Sequence, residues 1–225
     1  MTARAALLLV IVSVCVLAPA WAAPDAQSQP APPAARRVEA KDVGGKGKPD
    51  TWIAFEGRRS VKLWRSRNSD GTIDVWGTYK YPSATEKRFE VGVDRNHDGK
   101  LDYWRLDLNG QPTREWGDLN FDGKVDTWVF YAAGHKEWAV FDKNFDGKPD
   151  ACFHYASDGL KIDAGEIDER FEGKPSKTFG QLPKERPTVG GTDPPWPAPS
   201  PDEAVPPPVT PVADKATAPI APSAK

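Results

Sequence analysis

Residues 118–141 read DLNFDGKVDTWVFYAAGHKEWAVF, and this stretch contains both elements from which the chain is built. Its first nine residues place oxygen-bearing side chains at loop positions 1, 3, 5 and 9, with glycine at position 6. The rest is a short aromatic and β-branched run, an Ala-Gly turn and a second run of the same kind. Two such runs around a tight turn predict a β-hairpin, so the stretch predicts one acidic loop followed by one hairpin.

The same unit recurs along the chain. Complete nine-residue loops lie 24 residues apart and start at Asp94, Asp118 and Asp142. A weaker copy starts at Ser66, where a hydroxyl replaces the first carboxylate, and a degenerate copy starts at Asp42 with Lys46 at position 5. A sixth remnant starts at Asp168 and lacks most of the oxygen ligands. Terminal repeats of an array are commonly atypical, so we expect the degenerate copies at its ends.

The repeat predicts an all-β fold. Each copy supplies one hairpin, and none of the runs has the length and period of a helix. Five copies give a meander of about ten antiparallel strands, strongly twisted or partly closed, with the acidic loops along one end. A longer turn at residues 81–85 accounts for the one spacing of 28 residues between loops.

Tryptophan marks one face of the predicted sheet. It stands two residues after the loop at Trp52, Trp76, Trp104 and Trp128, with Cys152 at this place in the fifth copy. Strand side chains alternate between faces, so residues two positions further on share this face: Ala54, Thr78, Leu106, Phe130 and His154. Trp64 and Trp116, two residues before a loop, are expected to form a second column. Core packing is the first interpretation of these columns, and stacking on sugar rings is the alternative.

The three complete loops have the chemistry of a site for a hard cation. Side-chain oxygens at positions 1, 3, 5 and 9 and the backbone carbonyl at position 7 can wrap one ion, and glycine at position 6 permits the sharp turn. Three carboxylates crowd each loop, and each like-charged pair repels by about 1 kcal/mol even at the dielectric constant of water. Ca²⁺ is favoured over Mg²⁺ because an all-protein oxygen cage suits the larger ion.

The candidate metal ligands follow from these positions. They are Asp94, Asn96, Asp98, Lys100 and Asp102; Asp118, Asn120, Asp122, Lys124 and Asp126; and Asp142, Asn144, Asp146, Lys148 and Asp150. A weak fourth site is expected at Ser66, Asn68, Asp70 and Asp74, and none at the Asp42 loop. An Asp-Gly step is also a good turn by itself, but three copies with the complete oxygen set favour metal binding over a turn alone.

These loops resemble the calcium loops of EF-hands and of thrombospondin type 3 and integrin-type repeats. The resemblance covers nine residues per copy and implies calcium-ligand functions for positions 1, 3, 5, 7 and 9. An EF-hand also has a bidentate glutamate at position 12 and a helix on each side. Position 12 here is Arg105, Val129 or Phe153 and the flanks are strand-like, so helix–loop–helix structure and calcium-sensor behaviour are not expected.

The two ends of the chain have a different composition from its middle. Residues 1–22 have the pattern of a secretory signal peptide, which predicts a secreted or periplasmic protein without a transmembrane segment. Attachment of lipid at Cys15 is less favoured, since Val14 rather than a small residue precedes it. Residues 23–37 and 183–225 are rich in proline and predict a disordered spacer and tail around one domain at residues 38–182.

The sequence predicts a function in binding rather than in catalysis. No nucleophile–base arrangement, phosphate loop or catalytic metal site is present, and a net charge of −2 does not favour nucleic acid. The first hypothesis is an exported calcium-binding repeat protein that acts as a structural or interaction scaffold. The alternative is a calcium-dependent glycan-binding module that uses the tryptophan columns. The partner, a protein or a glycan, is not identified by the sequence.

Overall fold

The computed structural model describes residues 36–206, and the expectations for the signal peptide, for Cys15 and for residues 207–225 lie outside them. The described chain forms one antiparallel sheet in which strands adjacent in sequence are adjacent in space, so the all-β meander is confirmed. The sheet has twelve strands rather than about ten, because the chain before the first loop and after the last also pairs. It is open, with β1 and β12 at its two edges.

The strands have similar lengths, apart from the last. They are β1 (Arg36–Lys41), β2 (Thr51–Glu56), β3 (Arg59–Arg65), β4 (Val75–Lys80), β5 (Arg88–Val93), β6 (Tyr103–Leu108), β7 (Gln111–Gly117), β8 (Thr127–Ala132), β9 (His135–Phe141), β10 (Ala151–Tyr155), β11 (Ile162–Ile167) and β12 (Lys177–Phe179). Among the described residues of the proline-rich tail, Pro201–Ala204 form one short helix, α1. Strand β1 begins two residues inside the segment that was expected to be a spacer, because Arg36 and Arg37 pair with β2.

The acidic loops all lie at the same end of the sheet. Each connects an odd-numbered strand to the next even-numbered one, as residues 118–126 connect β7 to β8. The opposite end carries the connections within each predicted hairpin. These are tight except at residues 81–87, where the longer turn was expected, and at residues 156–161.

The tryptophans form one row across the sheet rather than two columns. Direct cross-strand partners run Trp52–Trp64–Trp76–Gly92–Trp104–Trp116–Trp128–Val140–Cys152 from β2 to β10. Directly paired residues point to the same face, so the one-face expectation for the first set is confirmed and the separate second column is wrong. The strand register brings the residue two before a loop opposite the residue two after the same loop and the residue two after the preceding loop. We call this set the Trp row.

The core lies on the face of the Trp row. One buried cluster joins Leu101, Trp104, Val125, Trp128 and Val140, and a smaller one joins Val38, Ala54 and Trp64. The opposite face carries aromatic pairs between neighbouring strands. Tyr79 stacks on Phe89 at 4.1 Å between ring centroids, and Phe141 meets Phe153 edge-on at 5.9 Å. Such pairs stabilise a sheet by about 0.2–1 kcal/mol each.

Residues 183–206, called here the tail segment, pack on the Trp row, a contact that their composition did not predict. Val189 and Trp196 lie against the larger core cluster, and the rings of Trp196 and Trp116 meet edge-on at 5.7 Å. A proline-rich segment cannot bury enough apolar surface to order itself. The Trp row supplies the apolar partner that the segment lacks.

The tight turn of the fourth complete hairpin holds an alanine in a left-handed conformation. Ala133 has φ +49° and Gly134 has φ +82°, the pattern of a two-residue hairpin turn that prefers Asn-Gly. The preceding hairpin has Asn109-Gly110 in the same conformation. A left-handed residue other than glycine or asparagine is strained by about 1–2 kcal/mol.

We therefore expect Ala133→Asn to stabilise the protein by about 0.5–1 kcal/mol, because asparagine tolerates the left-handed conformation better than alanine. Urea unfolding followed by circular dichroism measures the change as a higher midpoint. Ala132→Asn, one residue earlier in the exposed end of β8, is the matched control and should give no gain. An unchanged or lower midpoint for Ala133→Asn contradicts the expectation.

Candidate functional site: the acidic loops

The first aspartate of each complete loop is the centre around which the backbone turns. Asp118 is buried, and its carboxylate oxygens accept the N–H groups of Asp122 at 3.2 Å and Gly123 at 2.7 Å. Asp142 accepts the equivalent N–H groups of the next loop at 3.2 and 2.6 Å. Asp94 accepts from Gly99 in the same way, at 2.8 Å.

Loop positions 3 and 5 project oxygens at the surface. Asn120 accepts the N–H of Asp122 at 3.1 Å, and Asp122 accepts the N–H of Lys124 at 2.9 Å. The same two bonds recur in the other complete loops, made by Asn96 and Asp98 and by Asn144 and Asp146. Asp98, Asp122 and Asp146 are exposed, as are Lys100, Lys124 and Lys148 at position 7. The side chains at positions 1, 3 and 5 thus wrap one short backbone turn.

Position 9 has a structural function that the sequence did not reveal. Asp126 is buried and accepts the N–H of Leu119 at 2.9 Å, across the mouth of the loop, and the hydroxyl of Thr127 at 3.2 Å. Asp150 makes the same cross-loop bond, to the N–H of Lys143 at 2.7 Å. Burial raises the pKa of Asp126 above its ordinary value, although these donors act in the opposite direction.

The degenerate first loop keeps this bond at position 9. Asp50 accepts the N–H groups of Val43 at 3.0 Å and Gly44 at 2.7 Å, together with the hydroxyls of Thr51 and Ser69. Burial by itself would raise the pKa of Asp50, but these donors outweigh it and lower the pKa to about 2. Because a loop with Lys46 at position 5 still closes in this way, the position-9 carboxylate shapes the loop independently of any ligand. Its ligand function stays a prediction.

Arginine at position 2 distinguishes two loops from the others. The Nε of Arg95 pairs with Asp102 at 2.6 Å, and the Nε of Arg67 pairs with Asp74 at 2.9 Å. Position 2 is Leu119 in the following loop and Lys143 in the one after it. Within residues 36–206, no lysine or arginine forms an ion pair with a carboxylate of loops 118–126 and 142–150. Within the described part of the chain, a guanidinium therefore offsets part of the negative charge in two loops only.

Backbone bonds hold successive loops in a line. The N–H of Asp142 donates to the carbonyl of Asp126 at 2.8 Å, and the N–H of Asp118 donates to the carbonyl of Asp102 at 2.8 Å. Position 1 of one loop therefore lies beside position 9 of the loop before it. Strands are about 4.8 Å apart, so neighbouring loops repeat about every 10 Å along the sheet end.

The carboxylates do not converge on one point. Within residues 36–206, no group of three or more histidine, cysteine, aspartate or glutamate side chains has the arrangement of a metal site. Hydrogen bonds from the loop N–H groups set the orientation of the carboxylates. The asparagine amide at position 3 and the backbone carbonyl at position 7 also carry oxygens that can bind a metal, but they do not belong to those four side-chain types.

A second arrangement, of Cys152 and His154, lies near the last loops. Cys152 and His154 are two residues apart on β10, but His154 pairs with Asp163 at 2.6 Å rather than with the thiol. Burial, followed by the charge of Glu166, raises the pKa of Cys152 to about 11. The thiol is therefore protonated at neutral pH, and thiolate is the form that acts as a nucleophile.

Fold and loops together define an open β-meander of hairpin repeats with a row of acidic loops along one end. Comparison with protein-family models, curated proteins and solved structures found no match to this chain. No helix among residues 36–206 is long and apolar enough to cross a membrane.

Proposed function

We propose that the protein is an exported calcium-binding repeat protein that acts as a structural or interaction scaffold, in which calcium at the acidic loops stabilises the hairpin array. The observation that carries the proposal is the uncompensated charge of loops 118–126 and 142–150. Each has three carboxylates and an asparagine amide within nine residues and no ion pair to a described lysine or arginine. Export rests on the pattern of residues 1–22 alone.

The loops are proposed to differ in affinity. In loop 94–102, Arg95 occupies the position-9 carboxylate and adds a positive charge, so calcium binding there is weaker. Loop 66–74 combines the same feature, through Arg67, with serine at position 1. Loops 118–126 and 142–150 are thus the tighter pair, loop 94–102 is a weaker third site, and loop 66–74 is the weakest.

The expected stabilisation is moderate. Extracellular calcium modules have dissociation constants of about 10⁻⁴–10⁻³ M. At a free calcium concentration ten times the dissociation constant, one site stabilises the folded state by about 1.4 kcal/mol. Two sites then contribute about 3 kcal/mol, a large share of the about 5–15 kcal/mol that is typical of a domain. Calcium would act by removing the repulsion within neighbouring loops.

We expect equilibrium dialysis of the full chain to find two calcium ions bound more tightly and a third more weakly, and 10 mM calcium to raise the melting temperature by about 5–10 °C over chelator. The double substitution Asp122→Asn and Asp146→Asn should remove the two tighter sites and most of this rise. The matched control, Glu137→Gln with Glu185→Gln, removes the same charge from exposed positions outside the loops. It should keep both the two tighter sites and the rise in melting temperature. A melting temperature that is unchanged by calcium would contradict the proposal.

The glycan-binding alternative receives less support. Sugar stacking needs exposed indole rings, whereas Trp104 and Trp128 are only 1% and 2% exposed. Trp196 packs over this part of the row, against Trp116. The scaffold function agrees better with a tryptophan row that faces the core and the tail segment.

A further inference from the structure

The Trp row holds the tail segment through one repeated contact, an indole N–H that donates to a backbone carbonyl. Trp104 Nε1 donates to the carbonyl of Trp196 at 3.1 Å. Trp64 Nε1 donates to the carbonyl of Glu203 at 2.7 Å, and Trp76 Nε1 donates to that of Ala204 at 3.0 Å. Three members of one row thus bind one segment more than 90 positions away in sequence.

The segment has the composition that suits this kind of binding. Residues 193–201 read DPPWPAPSP, with five prolines in nine residues. Proline has no N–H, so the segment cannot pair as a strand, but every carbonyl stays available as an acceptor. Aromatic grooves bind proline-rich segments in this way. Of the three acceptors, Trp196 lies in this proline-rich stretch, whereas Glu203 and Ala204 lie in α1, whose last carbonyls have no partner within the helix.

Further contacts fix the direction and position of the segment. The Nζ of Lys62 pairs with Glu203 at 2.9 Å, near the C-terminal end of the contact. At the other end, Val125 N–H donates to the carbonyl of Thr192 at 2.6 Å. A cavity of about 260 Å³ remains between residues 196–199 and the sheet, lined by Trp64, Trp76 and Glu90 among others. The segment is therefore held at both ends but does not fill the surface beneath it.

Among the described residues, one buried donor of the row remains without an acceptor. Trp128 Nε1 is buried and has no hydrogen-bond partner within the described residues, although its side chain is only 2% exposed. A buried N–H without a partner costs about 1–3 kcal/mol. The indole N–H of Trp128 is therefore a hydrogen-bond donor of the row to which the tail segment provides no acceptor.

We propose that the Trp row is a binding site for a proline-rich segment of a partner protein, and that residues 192–204 of the tail segment occupy this site as a reversible intramolecular strap. The matching ligand has a Pro-Trp-Pro core and an acidic residue seven positions after the tryptophan, as Glu203 follows Trp196. A partner segment that also offers a carbonyl to Trp128 would make one more hydrogen bond than the strap. The proposal does not depend on calcium binding.

The strap lowers the affinity for an external segment by competition. A segment on a short flexible linker has an effective concentration on the order of millimolar at its own site. An external peptide with the same contacts therefore binds the wild-type chain weakly. A substitution that loosens the strap should raise the apparent affinity for the peptide by at least tenfold.

The test uses the full chain and a fluorescein-labelled synthetic peptide with the sequence of residues 190–206. Trp196→Ala removes the ring that packs on Trp116, and Glu203→Lys places like charges beside Lys62 and leaves the core intact. Fluorescence anisotropy should show that both variants bind the peptide at least tenfold more tightly than the wild-type chain does. A peptide that carries alanine in place of Trp196 should bind none of the three proteins.

Two outcomes would overturn the proposal. If the peptide binds neither variant while both keep the wild-type circular dichroism spectrum, the Trp row is not a site for such segments. If light scattering shows that the wild-type chain is a dimer that the peptide dissociates, the occupant is the tail segment of a second copy rather than a partner protein. Glu203→Lys keeps the experiment decisive if Trp196→Ala does not fold.

Discussion

Trp104→Ala is expected to lower the free energy of unfolding by about 4 kcal/mol, the largest loss at any single tryptophan of the row. Trp104 is 1% exposed and packs with Leu101, Val125, Trp128 and Val140 in the larger core cluster. Its cross-strand partner on one side is Gly92, which has no side chain to fill the space that alanine would leave. The variant also loses the indole bond to the tail segment.

Trp52→Ala is the matched control, since Trp52 has the same position in its repeat but is only half-buried near the edge of the sheet. We expect it to cost less than half as much. Urea unfolding followed by circular dichroism compares the two, because this signal does not depend on the number of tryptophans. Equal losses at Trp52 and Trp104 would contradict the view that the core is concentrated in the middle of the row.

Asp126→Ala is expected to lower the free energy of unfolding by about 3 kcal/mol in calcium-free buffer. The substitution removes the acceptor for the Leu119 N–H and the Thr127 hydroxyl, and with it the bond that closes the loop. Asp126→Asn keeps one acceptor oxygen and should cost much less. Thermal unfolding in the presence of chelator measures all of these variants.

The raised pKa of Asp126 also predicts how the stability of the protein depends on pH. A folded-state pKa raised above the unfolded value means that folding favours the protonated form, so the stability linked to this group is present at low pH and declines as pH rises through the folded pKa. Asp126→Asn, which cannot ionise, should remove that decline. A pH dependence that is identical in the wild type and Asp126→Asn would contradict this.

Asp122→Ala distinguishes the ligand function proposed for Asp122 from the structural function of Asp126. Asp122 is exposed, so its loss should change the stability by no more than about 0.5 kcal/mol without calcium. With calcium, the same variant should lose the stabilisation proposed for its loop. If Asp122→Ala and Asp126→Ala cost the same in chelator, position 9 has no special function in closing the loop.

The loops and hairpins could be predicted from the sequence because each is a local unit. Asp118, Asp122 and Gly123 lie within six residues, and the runs on either side of Ala133-Gly134 pair directly across the turn. Alternation along a strand also assigned Trp104 and Leu106 to one face correctly. These properties depend on neighbours in the chain, so a repeating pattern of residue types is sufficient to reveal them.

The function of individual loop residues could be predicted only in part. Position 9 was assigned as a ligand, and the spacing did not show that Asp126 closes the loop through Leu119 N–H. Arginine at position 2 was visible in the sequence at Arg95, but only the folded loop brings its guanidinium to Asp102. Both contacts depend on the path of the backbone, which places residues seven apart face to face.

The sequence by itself determined a meander of hairpins with acidic loops at one end, because each repeat specifies its own turn, strands and alternation. Only the tertiary structure decided that the tryptophans form one row and that the tail segment covers it. The row arises from strand register, which is set by pairing between different repeats. The covering brings Trp64 and Glu203 together from 139 positions apart, and no local pattern of residues encodes such a contact.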